Sequence, residues 1–347
     1  MKHIAVWNTA FLGDAILTLS LLQSIRKASP DSRIDYYVRG GLSGLFAAHP
    51  AVDNVYEFRK NKEQRSLGAL RALGGEIKER NYDLWLSPHP SLRSACLAKK
   101  SGAFSVGYTR PWYNRFFYTT TVERRFPELH EVERLLQLAG PLNLPELSHW
   151  PELVLPEELR RKYADFFAAL PGGPVLGLHP GSVWGTKRWP AAYFARIGQL
   201  ALERGASVLV FGGPGEEETA SEVLVGISDG VSREAQERAH NMAGKLNLPE
   251  LAACIAGLSC YVGNDSGPMH LAWCQRVPVV ALFGATVPSL GFAPLGPNSI
   301  IMEVDGLDCR PCSLHGPQVC PKKHFRCMKE LVPEMVWPEV EKSLFAS

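Results

Sequence analysis

Short apolar runs alternate with helix-length stretches along most of the chain, and the alternation starts twice. In the first half, residues 4–7, 33–38, 55–58, 82–86 and 104–108 read as strands, and 14–28, 42–48, 67–80 and 91–100 as helices. Ile16, Leu19, Leu22 and Ile25 recur in steps of three, as one buried face of a helix requires. Strands joined through helices pair in parallel, because a hairpin joins only antiparallel neighbours. Pro141, Pro145, Pro151 and Pro156 then punctuate a linker. The pattern resumes with strands at 175–179, 207–211, 258–262 and 277–283, and helices at 156–170, 190–204, 216–225, 249–257 and 269–274. A last helix covers 333–345. The expected fold class is α/β: two doubly wound, Rossmann-like domains facing across a cleft. They span 1–155 and 156–332, and residues 333–347 form a terminal helix free to pack back on the first domain. In such sheets ligands sit at the carboxyl ends of strands, so the loops that follow strands are where function is sought.

With 347 residues, 46% hydrophobic and 21% charged, the chain has room for two ordinary domains. No run approaches the roughly 20 apolar residues of a membrane span. Residues 1–7 read as a first strand rather than a signal peptide, so a cytoplasmic protein is expected. Net charge is only +2, yet residues 1–125 hold 19 Lys and Arg against 10 Asp and Glu, which is +9 and leaves −7 for the rest. Either cations are unevenly spread over solvated faces, or the first half meets an acidic partner such as a phosphorylated lipid or an anionic membrane. Arg59, Lys60, Lys62 and Arg65 form one candidate cluster, and Arg110 with Arg115 another. No nucleic-acid-binding motif is present. Of eight cysteines, Cys96, Cys254, Cys260 and Cys274 sit mostly in apolar contexts and read as core. Cys309, Cys312, Cys320 and Cys327 cluster, which leaves open a structural zinc, occasional disulfides or packed thiols.

Three loops carry candidate chemistry. In Asn8-Thr9-Ala10-Phe11-Leu12-Gly13-Asp14, Gly13 permits a tight turn and Asp14 opens a helix. The helix dipole there favours an ionised carboxylate, which serves either as a general base or as a plain helix cap. In His179-Pro180-Gly181-Ser182-Val183-Trp184-Gly185-Thr186-Lys187-Arg188, hydroxyls from Ser182 and Thr186 stand beside the cations Lys187 and Arg188, a set suited to a diphosphate. Gly263-Asn264-Asp265-Ser266-Gly267-Pro268-Met269-His270 runs from a strand into a helix, whose free N–H groups bind anions. Gly263 and Gly267 let the backbone approach a ligand. Asp265 or Ser266 alternatively caps the helix, and His270 reaches the diphosphate or packs locally. After the strand at 207–211, Gly212-Gly213-Pro214-Gly215 leads to Glu216 and Glu217, which either complement a helix dipole or accept from a ribose. The turn is not G-x-G-x-x-G, so nicotinamide binding has little support.

Together, Phe11-Leu12-Gly13-Asp14, Pro180-Gly181-Ser182 through Lys187-Arg188-Trp189-Pro190, Gly263 to His270, and the order Cys309-Arg310-Pro311-Cys312, Cys320-Pro321, Arg326-Cys327-Met328 resemble glycosyltransferase family 9, the bacterial lipopolysaccharide heptosyltransferases. The resemblance implies a GT-B fold and inverting transfer of L-glycero-D-manno-heptose from ADP-heptose to the lipopolysaccharide inner core. It implies Asp14 as base and Lys187 as the group that stabilises departing ADP. Substrate contacts would fall at Gly13, Ser182, Thr186, Arg188, Glu216, Glu217, Asp265, Ser266, Gly267 and His270. No metal or cofactor is implied. The partners expected are the ADP-heptose donor and an acidic lipopolysaccharide acceptor, with the protein peripheral on the cytoplasmic face of the inner membrane. The competing readings are a nucleotide-sugar epimerase, a transferase of another nucleotide sugar, and a non-catalytic binder of sugar nucleotides or lipid.

Overall fold

In a computed structural model, which describes residues 2–59 and 66–346, the chain divides into two units, Met1–Leu155 and Pro156–Ser347. The first contains β1 (His3–Asn8), β2 (Arg33–Arg39), β3 (Asn54–Phe58), β4 (Leu84–Leu86), β5 (Phe104–Tyr108) and β6 (Thr120–Val122), all parallel, in the spatial order β3-β2-β1-β4-β5-β6. The second contains β7 (Val175–His179), β8 (Ser207–Val210), β9 (Ala239–Asn241), β10 (Cys260–Asn264), β11 (Val279–Phe283) and β12 (Ser299–Glu303), also parallel, in the order β12-β11-β10-β7-β8-β9. Each order reverses beside its first strand, between β1 and β4 and between β7 and β10. At such a switch point the loops on either side part and leave a crevice.

Central strands such as β1, β10 and β11 are buried almost throughout, as expected of parallel strands covered on both faces. In the first unit one sheet face packs aromatics: Trp7 stacks on Trp85 at 5.7 Å and touches Tyr37 at 5.1 Å. Buried Asp35 sits at that cluster's edge, accepting from Tyr82 Oη at 2.7 Å and Asn54 Nδ2 at 2.9 Å, with His3 Nε2 at 3.0 Å. Burial alone would raise its pKa, but these bonds outweigh it and hold the carboxyl below its ordinary value.

The expected helix 14–28 is two helices, Leu12–Leu17 and Leu19–Ala28. Thr18 lies between them and turns its hydroxyl back onto the Asp14 carbonyl at 2.8 Å, a bond that competes with the helix ladder. Gly13 is therefore the second residue of a helix and not a turn residue. The strand expected at 258–262 is shifted to Cys260–Asn264. Gly263 thus lies inside a strand, where an added Cβ would fall 2.7 Å from Tyr261 Oη; packing within the strand, not approach to a ligand, accounts for this glycine. The final helix, Pro333–Leu344, belongs to the second unit. Its Val336, Val340 and Leu344 enter that unit's core with Leu176, Val262 and Trp189, so the apolar face expected to return to residues 1–155 is already used.

Candidate active site

The switch point of the first sheet holds Asp14. It is the third residue of the helix that follows β1, and its Oδ2 accepts from the Phe11 N–H at 3.2 Å. Asn8, the last residue of β1, pins the turn: Nδ2 donates to the Asp14 carbonyl at 3.2 Å and to Thr18 Oγ1 at 2.8 Å, and Oδ1 accepts from Ala10 N–H at 3.2 Å. Tyr36 Oη adds a bond to the Ala15 carbonyl at 3.0 Å. The helix start does not depress the acid as expected. Burial, followed by the charge of Glu131, pushes Asp14 up to about 6, with the Phe11 N–H and Arg124 opposing. A carboxyl there is still about 90% ionised at pH 7, and its higher basicity makes it the better proton acceptor.

Glu131 belongs to a charged group that motif reading missed. Arg124 Nη2 donates to both of its oxygens, at 2.8 and 2.7 Å, and Arg134 Nη1 donates to Oε2 at 2.9 Å. Glu131 and Arg134 are buried. His130 caps their helix, its Nδ1 accepting from Val132 N–H, and Glu133 reaches back to the His130 N–H. The available signal was this capping pattern beside a Glu and an Arg three residues apart. Of the basic clusters, Arg110 and Arg115 are exposed, as is Arg59, whereas Lys60, Lys62 and Arg65 lie outside the described residues.

The switch point of the second sheet gathers the other candidates in the loops after β7 and β10. Asn264, buried at the end of β10, accepts from Trp189 N–H at 3.0 Å and donates to the Pro180 and Gly181 carbonyls at 2.9 and 3.2 Å, tying the two loops together. Lys187 Nζ then meets Asp265 Oδ2 at 2.6 Å, and Thr286 Oγ1 donates to the same oxygen at 2.6 Å. Asp265 is therefore a holder of the ammonium, since a carboxylate would itself repel a diphosphate. Ser266 precedes the helix Gly267–Cys274 but makes no side-chain cap bond, and its buried Oγ has no partner among the described residues. An orphaned hydroxyl at an uncapped helix start costs about 1–3 kcal/mol and fits an anion that would satisfy it. Gly267 supplies the first helical N–H; Pro268, next in line, has none. His270 is buried on the same helix, near Trp273.

Thr186 behaves differently from expectation. Its Oγ1 donates to the Pro317 carbonyl at 2.5 Å and its N–H reaches the same oxygen at 3.2 Å, so the hydroxyl anchors the segment near residue 317 rather than standing free for a substrate. Ser182 is buried; its Oγ accepts weakly from Trp184 N–H at 3.4 Å, and its carbonyl accepts from Arg188 Nε at 2.8 Å. Glu216 accepts from Gly213 N–H at 2.8 Å and lies 3.5 Å from His179 Nε2. Burial would raise this acid, but His179, the Gly213 N–H and Arg188 outweigh it and hold it below its usual value. A Cβ at Gly181 would fall 2.1 Å from the Glu216 carboxylate, so the two turns touch here. Glu217 is exposed and accepts from Gly215 N–H at 2.8 Å.

Sequence reasoning also missed Thr286 and the work of Arg310. The Arg310 guanidinium donates to the carbonyls of Gly284, Phe283, Thr286 and Val304 and pairs with Glu303 at 2.7 Å. It thereby fixes the turn after β11 that carries Thr286. All eight cysteines are free thiols, and among the described residues no group of three or more His, Cys, Asp and Glu side chains is arranged to hold a metal. Burial raises Cys312 and pushes Cys327 up to about 11.

The sequence model of glycosyltransferase family 9 (heptosyltransferase) matches residues 70–322. The chain is 32% identical to lipopolysaccharide heptosyltransferase 1 of Pseudomonas aeruginosa, covering 99% of this chain and 98% of that protein. Among solved structures, a family 9 glycosyl transferase from Veillonella parvula superposes with a TM-score of 0.85 at 25% identity, covering 100% and 98% of the two chains. The E. coli ADP-heptose LPS heptosyltransferase II superposes with a TM-score of 0.80 at 24% identity, covering 99% and 98%. The fold is the one expected, two α/β units of the GT-B type.

Proposed function

The chain belongs to glycosyltransferase family 9, and on that premise we propose that it moves L-glycero-D-manno-heptose from ADP-heptose to the inner core of lipopolysaccharide, with inversion at the anomeric carbon. Residues 1–155 receive the acidic acceptor, and residues 156–332 hold the nucleotide sugar. The acceptor oxygen attacks the anomeric carbon from the face opposite the diphosphate and gives its proton to Asp14. The bond from the anomeric carbon to the diphosphate oxygen breaks, and ADP leaves with the electron pair. Lys187, held by Asp265, which Thr286 braces in turn, meets the developing charge together with the Ser266 hydroxyl and the N–H that opens the helix at Gly267. Arg188, Ser182 and His270 complete the diphosphate side, and Glu216 or Glu217 accepts from the ribose. Gly13 lies beside the base, as the second residue of its helix, and completes the acceptor side. Thr186 shapes this site through Pro317.

The observation that carries the reading is the pairing of a fixed ammonium with an uncapped helix start and an orphaned hydroxyl. The donor named for the E. coli structure supports ADP-heptose as the substrate. Among the described residues no helix is long and apolar enough to cross a membrane. We place the protein in the cytoplasm, peripheral on the inner face of the inner membrane where its acceptor is made.

Titration calorimetry with ADP, UDP and GDP, without added metal, tests the donor. Preference for ADP that disappears in Lys187→Ala is expected. Preference for UDP or GDP would overturn the heptose assignment. The anomeric configuration of the product, read by NMR, tests inversion; a retained configuration would remove Asp14 from its role as base. Release of ADP in the absence of acceptor would favour the epimerase chemistry instead.

A further inference from the structure

Beyond β5 the chain displays a group that the transfer chemistry does not use. Residues 110–117 read Arg-Pro-Trp-Tyr-Asn-Arg-Phe-Phe, and Trp112–Phe116 form a single 3-10 turn. Buried Asn114 clamps its base, Nδ2 donating to the Tyr108 carbonyl at 2.8 Å and the Arg110 carbonyl at 3.1 Å. The turn is thus rigid, yet Trp112 is 70% exposed and Phe116 56%. Their rings meet edge to face at 6.1 Å. The Arg115 guanidinium lies 4.8 Å over the Phe116 ring, and Lys99 Nζ donates to the Phe116 carbonyl at 3.1 Å. Arg110 and Arg115 are exposed, and among the described residues no carboxylate pairs with either.

From this geometry we propose that the 110–116 turn docks the protein on an anionic lipid bilayer, Trp112 and Phe116 entering the interface while Arg110, Arg115 and Lys99 meet lipid phosphates. Two large aromatics held out on a clamped turn are exposed at a cost that a watery surface does not repay. Trp and Phe flanked by cations suit the headgroup boundary, where ring and charge are both satisfied. The +9 excess of residues 1–125 complements an acidic surface. Position agrees: the turn leaves the carboxyl end of β5, on the same sheet edge as Asp14 beyond β1, and the two strands are two places apart, about 10 Å. A lipid-anchored acceptor held at that edge lies within reach of the base, a step that rests on the function proposed above.

The test is co-sedimentation with extruded vesicles of phosphatidylethanolamine and phosphatidylglycerol, against vesicles of phosphatidylcholine alone, with neither donor nor acceptor present. It therefore fails or succeeds independently of heptose transfer. Each cation near an anionic surface strengthens binding roughly fivefold, so Arg110→Glu/Arg115→Glu is expected to lower partitioning on anionic vesicles at least tenfold. Trp112→Ser/Phe116→Ser is expected to do the same. Both double variants should keep the wild-type response to ADP, which shows that they fold. Brominated lipid should quench wild-type tryptophan fluorescence and lose that component in Trp112→Phe. Equal binding of wild type to both vesicle types, or wild-type binding by both double variants, would overturn the proposal. So would a Trp112→Ser/Phe116→Ser protein that loses turnover on a lipid-free core oligosaccharide as steeply as it loses vesicle binding, because the turn would then contact the acceptor sugars.

Discussion

The charge environment of Asp14 makes a prediction with opposite signs at two residues. At a pKa of about 6 the carboxylate is about 90% ionised at pH 7 and about 10% at pH 5, whereas at its ordinary 3.8 it would be more than about 90% ionised at both. If Asp14 is the base, kcat/KM falls roughly tenfold between pH 7 and pH 5, following one proton. Glu131 raises Asp14 and Arg124 lowers it. Glu131→Gln keeps an oxygen for Arg124 and Arg134 while removing the negative charge, so the acid limb moves down. A shift of about one unit would leave half the carboxylate ionised at pH 5, about five times the wild-type fraction. Arg124→Gln must move the limb up, towards 7. Each profile is normalised to its own plateau, so a partly folded variant reports the same limb. An acceptor phosphate also titrates near pH 6, but it belongs to the substrate and would hold its position in both variants. Limbs that stay fixed, or that move in the same direction in Glu131→Gln and Arg124→Gln, would refute the assignment of the limb to Asp14.

Other expectations follow from the same geometry. Lys187→Ala should lower kcat by about 10²–10³-fold and weaken ADP, measured by steady-state kinetics and calorimetry, because the leaving charge loses its fixed cation. Thr286→Val, which removes only the second donor on Asp265, should have a smaller effect of the same kind, about tenfold or less. Ser266→Ala should leave thermal stability unchanged or slightly raised, since Oγ has no partner to lose, while weakening ADP severalfold. Asp14→Asn should abolish turnover and stabilise the fold at pH 7. A carboxyl raised in the folded state binds its proton more tightly there than when unfolded, so its cost appears as pH rises from about 4 to 6 and is complete above 6. The gain, of order 3 kcal/mol at pH 7, should largely vanish near pH 4 in thermal melts.

Long central elements were legible in the sequence because one physical pattern fixed each of them. Parallel strands buried on both faces are continuous apolar runs, and β1, β2, β5, β7 and β8 fall within a residue or two of their expected places. Of the four edge strands only β3, expected at 55–58, was legible. β6, β9 and β12 are only partly buried and read as polar or mixed, so period and hydrophobicity both fail there. Among the candidate site residues, those set by local backbone stand at the backbone positions expected: Asp14 in the first turn of a helix and Ser266 just before another. What the sequence could not supply were contacts between distant segments. Nothing near Thr186 in sequence foretells its bond to the Pro317 carbonyl, 131 residues away. The bond between Asp265 and Lys187 was hidden in the same way, because it spans 78 residues.

The two units place their ionisable groups in opposite electrostatic settings, and the proposed chemistry requires that difference. A base must gain a proton during attack, so its charged form should be held with some reluctance. At Asp14, burial and a second carboxylate, Glu131, oppose the charge and outweigh its backbone N–H bonds and Arg124. A group that stabilises a leaving anion must stay charged throughout. Lys187 is accordingly held by Asp265, which is itself bonded to Thr286. Exchanging the settings would disable both: a carboxylate paired with a cation is too weak to take a proton, and an ammonium without its carboxylate would not be held where the leaving charge develops. Asp265→Asn is therefore the more damaging change to the donor side than loss of any neutral ligand contact. The amide keeps the shape but removes the charge that holds the ammonium in place, so ADP affinity should fall about tenfold or more. Calorimetry would show it, and wild-type affinity in Asp265→Asn would mean that Lys187 keeps its place without the carboxylate.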